Sequence, residues 1–113
     1  MANVYTTSTK VLDELPSSVP TAVSSKIDGW IADESRAVDS ALPNYTTPFA
    51  DIAASPATPA LIEEATRYLV IDRALRKSGL LRYDALGKLV DSYEVKGKAL
   101  LRDLRDGARV LPA

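Results

Sequence analysis

Four of the chain's seven prolines fall between residues 43 and 59, in the stretch PNYTTPFADIAASPATP. Proline has no amide hydrogen to donate and clashes with the carbonyl one turn back, so neither a helix nor a central strand runs through such a segment. The stretch therefore predicts a long extended connection between helical regions. It also carries Tyr45, Phe49 and Ile52, where a solvated loop would be polar. Three large apolar residues in a loop either fold back over a core or wait for a partner.

On either side the apolar residues recur at helical spacing. Before the connection, Pro20 suits a first turn, and Val23, Ile27, Trp30, Ile31, Val38 and Leu42 share one face up to Pro43, which predicts a helix over about 20–42. Beyond it, Thr58 can cap a helix with Pro59 in its first turn; Leu61, Ile62, Ala65, Tyr68, Leu69 and Leu75 carry it to Ser78-Gly79, about 59–78. Val70 and Ile71 lie off that stripe. A helix apolar on several sides is either central to its own bundle or shared with another subunit. A third period runs over about 82–105, with Gly87 and Gly97 as weak points, and a short helix over about 8–15 ends at Pro16. The pattern predicts one all-α domain, a small bundle of about three to four helices with the Pro-rich loop between the central two and a short tail over 106–113.

The chain has neither cysteine nor histidine, which excludes disulfides, thiolate or imidazole metal sites, and nucleophile and base pairs built on either. At 113 residues it suits a single domain too small for a roomy enclosed active site. No cofactor and no metal are expected. No apolar run reaches membrane-spanning length, and the opening MANVYTTSTK lacks a basic head followed by an apolar stretch, so a cytoplasmic chain without membrane contact is expected.

The net charge of −1 conceals a division: residues 1–66 carry three basic and nine acidic side chains, residues 67–113 eleven and six. Halves of opposite sign can neutralise each other within one monomer, meet across copies, or present a nucleic-acid face. Two acids are out of place for surface helices. Glu34 falls among Ile27, Ile31 and Val38, and Asp72 among Tyr68, Leu69 and Leu75. A catalytic carboxylate pair would need a ligand set or motif around it, and none is present. A structural role is the better reading, each buried acid meeting one of Arg67, Arg73 or Arg76 within the chain or across a subunit contact. The basic series Lys88, Lys96, Lys98, Arg102, Arg105 and Arg109 has no recognition motif, phosphate loop or stacking aromatics beside it and reads by default as a solvated face.

A long helix ending SRAVDSALPNY, then TPF, a Pro-rich loop, and a helix reading PALIEEATRYLVIDRAL resembles the small head-tail connector (adaptor, or head-completion) proteins of tailed bacteriophages. The likeness covers about residues 20–77 and the short helix before them. It rests on Val38, Asp39 and Leu42, on Tyr45 with Pro48-Phe49, and on Leu61, Ile62, Ala65 and Leu69. It implies an all-helical protein of the virion, present in the host cytoplasm during assembly. Such a protein is not an enzyme; it forms a ring beneath the portal protein, continues the DNA channel without reading sequence, and seats a tail-completion or stopper protein. On that reading Tyr45, Phe49, Ile52, Val70, Ile71, Arg73, Arg76, Val110 and Leu111 are candidates for contacts with partners or with neighbours in a ring of about twelve copies. The alternative is a small helical DNA-binding or regulatory protein using the basic third helix.

Overall fold

The structure, a computed structural model, describes residues 3–15, 21–55, 57–77 and 84–107, without the side chains of 84–92. Five helices make it up: α1 (Ser8–Glu14), α2 (Thr21–Ser24), α3 (Ile27–Ala41), α4 (Ala60–Lys77) and α5 (Asp84–Asp106), with no strand among the described residues. The all-α class is thus established, with more pieces than the three to four helices expected.

The extra piece comes from the expected 20–42 helix, which is broken at Ser25-Lys26 into α2 and α3. Ser24 and Ser25 donate their hydroxyls to the carbonyls of Thr21 and Ala22, three residues back, and the Lys26 amide closes a tight turn onto Val23 at 3.0 Å. Serines that bond back to the backbone compete with the helical ladder, and here they win for one turn. Helical periodicity survives the break because Val23, Ile27, Trp30 and Ile31 still enter one core. At the start of α4, Pro59 accepts from the amides of Ile62 and Glu63, while Thr58 donates its hydroxyl to the Ala50 carbonyl at 2.6 Å and so fastens the loop.

Helix α4 is central, packed by α5, α3, α1 and α2. This corrects the reading of Val70 and Ile71 as subunit contacts, for both are fully buried in the monomer, packed with residues of α1, α2 and α3. Being off the main stripe marks the faces that meet these shorter elements. Each such side chain contributes about 1.5–3 kcal/mol by leaving water. On another side α5 approaches α4 closely at Gly97, where an added Cβ would lie 3.1 Å from Leu69 Cδ2 and 3.4 Å from the Ala65 carbonyl. The glycine read as a weak point is what lets these two helices meet.

The Pro-rich connection folds back over the bundle. Phe49 is buried among Tyr5, Val38 and Leu42, which corrects its assignment to a partner contact; Tyr45 packs half-buried beside it, and Ile52 is half-buried. The holding element is the N-terminal segment, residues 3–7. Asn3 donates to the Phe49 carbonyl at 2.7 Å, the Val4 amide to Asp51 Oδ1 at 2.8 Å, and the Ile52 amide to the Val4 carbonyl at 2.8 Å. Tyr5, wholly buried, donates its hydroxyl to Asp39 Oδ1 at 2.5 Å and accepts from the Phe49 amide at 2.9 Å, with its ring edge-on to Phe49. Thr6 donates to Glu63 on α4 at 2.7 Å, so five residues tie α3, the loop and α4 together. The Thr47–Pro48 bond within the loop is cis.

Candidate functional site: an ionic seam across three helices

The acids singled out in the sequence stand on one seam where α3, α4 and α5 meet. A cavity of about 320 Å³ opens there, lined by Glu34, Leu69, Asp72, Arg73, Arg76, Glu94 and Lys98. The helical repeat explains the convergence: Asp72 and Arg76 are one turn apart on α4, as Glu94 and Lys98 are on α5, so each pair projects from one face. Both acids find an arginine within the chain. Asp72 Oδ2 accepts from Arg76 Nε at 3.0 Å, and Glu34 lies 3.8 Å from Arg73.

The pairs join into a network. Arg76 also bonds Glu94, which accepts from Lys98 at 2.6 Å; Arg73 donates to Asp33 at 3.4 Å and stacks over the Trp30 ring at 5.4 Å. Burial pushes the carboxyls of Asp72 and Glu34 above their usual range, against the opposing pull of Arg76 and Arg73. The Lys98 hydrogen bond holds Glu94 below its range, and the bond to Asp72 raises Arg76. Asp72 Oδ1 is buried with no hydrogen-bond partner, which removes part of the stabilisation a fully bonded carboxylate would have. With three carboxylates facing three cations, the seam is a structural clamp between helices. Among the described residues no group of acids is placed to hold a metal ion.

Arg73 and Arg76, candidates for subunit contact, are engaged in these internal pairs, though each keeps part of its side chain in solvent. Arg67 reaches Glu14 of α1 at 3.2 Å and Glu63 at 3.6 Å, out of line for a hydrogen bond in both cases. The pairs from Arg67 and Arg73 cross the charge division, so part of the opposition between the halves is neutralised inside one monomer. Val110 and Leu111 lie outside the described residues.

A second cleft, of about 220 Å³, lies on the other flank of α5 between Glu64, Tyr68, Lys96 and Asp103. The Tyr68 hydroxyl donates to Glu64 at 2.6 Å, which pushes it up to about 12, and Lys96 sits 5.9 Å from the ring. Periodicity missed the cluster around Tyr5, Asp39 and Asp51, because residues 3–7 form neither helix nor strand and their bonds reach partners 30 or more positions away. The only local signal was a Tyr and a Val set among polar residues.

No family model, no curated protein and no solved structure matches the chain. Among the described residues no helix is long and apolar enough to cross a membrane.

Proposed function

We propose that the chain is a structural subunit of a tailed-phage head-tail connector. It assembles without catalytic turnover into a ring of about twelve copies beneath a portal protein, continues the DNA channel, and presents a seat for a tail-completion or stopper protein. The resemblance of residues 20–77 and the all-helical fold support this reading. Val70, Ile71 and Phe49 are used inside the monomer, so the subunit contact moves to what the monomer leaves uncovered.

The observation that carries the proposal is the outer face of α5. Val95 is 64% exposed, in a strip with Lys98, Ala99 and Arg102, and Leu12 on α1, 42% exposed beside the exposed Asp13, is the other large apolar side chain left in solvent among the described residues. A heterologous ring contact pairs two different patches of one chain: Val95 and Arg102 of one copy seat against Leu12 and Asp13 of the next, apolar on apolar and cation on anion. The regulator reading is the weaker one. Lys98 is paired with Glu94, Arg105 with Asp106, and Lys96 lies over Tyr68, which leaves Arg102 as the described cation of this helix without an internal partner.

The test is particle size by light scattering and electron microscopy, alone at high concentration and mixed with a portal ring encoded beside the gene. Val95→Asp and Arg102→Glu are expected to abolish the ring and leave monomer helicity unchanged, and raised salt is expected to weaken it. A particle that stays monomeric or dimeric under all these conditions refutes the connector reading.

A further inference from the structure

A cleft of about 370 Å³ at the junction of α2, α3 and the end of α4 is lined by Ala22, Val23, Lys26, Trp30, Arg73 and Lys77. Three of these are cations, and none is an acid. Arg73 is already offset by Asp33 and Glu34, but Lys26 and Lys77 have no ion-pair partner among the described residues. The cleft therefore holds two uncompensated positive charges. Lys26 stands at the N-cap of α3 with no side-chain cap bond, so the positive end of a fifteen-residue helix dipole adds to the field there. Trp30 is 7% exposed and its ring is covered by Arg73, which leaves no free aromatic face for stacking a base.

We infer that this cleft is a phosphate-binding site, in which the ammonium groups of Lys26 and Lys77, beside the Trp30–Arg73 stack, take up a phosphate group through charge and read nothing else of its carrier. Lysine suits the role as a flexible point charge that follows phosphate oxygens without demanding one geometry. The site shares no residue with the α5 strip and does not depend on ring assembly. The phosphate can belong to a free ion or to the backbone of a polynucleotide.

Trp30 is the only tryptophan in the chain, so its fluorescence reports on the cleft directly. Dilute protein is titrated with sodium pyrophosphate, with a random 16-base-pair DNA duplex, and with poly-glutamate, all at matched ionic strength. A saturable change with pyrophosphate alone identifies a site for free phosphates; a change with the duplex as well identifies backbone contact, with log affinity falling against log salt at a slope of about two for two released counterions. In both cases Lys26→Gln with Lys77→Gln, which keeps the fold by circular dichroism, is expected to weaken binding about tenfold or more, and Lys10→Gln, at a residue that does not line the cleft, to leave it unchanged. Saturation by poly-glutamate alone overturns the inference in favour of an acidic protein partner. Absence of a saturable signal from all three, checked by calorimetry, or equal binding by the double variant, overturns it altogether.

Discussion

Replacing Tyr5 with Phe removes one oxygen atom and nothing else, and that atom joins three parts of the chain. Its hydroxyl donates to the Asp39 carboxylate and accepts from the buried Phe49 amide, and the residue has no solvent exposure. Burial and the Asp39 bond hold the hydroxyl well above the usual tyrosine range, so it is a firm proton donor across the working pH range. A bond to a charged acceptor is worth roughly 1.5–3 kcal/mol, and stranding the Phe49 N–H costs about 1–3 kcal/mol more. Asp39 is only half-buried and regains water, which moves the sum toward its lower end. The expected loss is about 2–3 kcal/mol, and at roughly 4 °C per kcal/mol for this chain length the melting temperature falls by about 10 °C. Urea titration followed by circular dichroism measures it, with an unchanged slope against denaturant. The loss should be local as well as global, because the Phe49 tie is what keeps the loop down. Limited proteolysis is therefore expected to cut residues 43–55 first in the variant and to spare them in the parent. A loss under about 0.5 kcal/mol, or a parent loop cut as readily as the variant's, would show that the N-terminal segment does not hold the loop.

Three further outcomes follow from the packing. Val70→Ala should destabilise the monomer by about 2–3 kcal/mol at concentrations too low for association, since the side chain is fully buried in the monomer; a loss seen only on assembly would return it to a subunit contact. Gly97→Val should cost about 2 kcal/mol or more despite a better helix propensity, because its methyls meet Leu69 and the Ala65 carbonyl, and neutral or raised stability by calorimetry would refute the close approach. The carboxyls of Asp72 and Glu34 are raised in the folded state, so the stability they contribute is complete below the ordinary carboxylate range and is lost as pH rises through their folded values; Glu94, held low, works in the opposite sense. Asp72→Asn should therefore gain stability relative to the parent as pH is raised from about 4 to 7, and urea titrations across that range that diverge in the other direction would contradict the assignment.

What could be read from the chain alone was whatever repeats locally. The stripes of α3, α4 and α5 recur every three or four residues, and the prolines at 43–59 bar any helix from running through that stretch, so the helical class, the connection and the misplacement of Glu34 and Asp72 were all visible in the pattern. Of the three arginines open to these acids, Arg76 stands one helical turn from Asp72 and needs no tertiary information to meet it, whereas the approach of Arg73 to Glu34 joins α4 to α3 and was decided by packing. The assignment of faces was decided elsewhere. Periodicity tells that Val70 and Ile71 are apolar on a second side, but whether that side meets α1, α2 and α3 or a neighbouring copy depends on where distant elements pack. The same holds for Phe49, whose burial depends on Tyr5, 44 residues earlier in an irregular segment with no period to betray it. Hydrogen bonds of that span come from chain closure, and closure is settled by the whole bundle at once, which is why the latch at residues 3–7, the approach at Gly97 and the cleft around Trp30 came only from the tertiary structure.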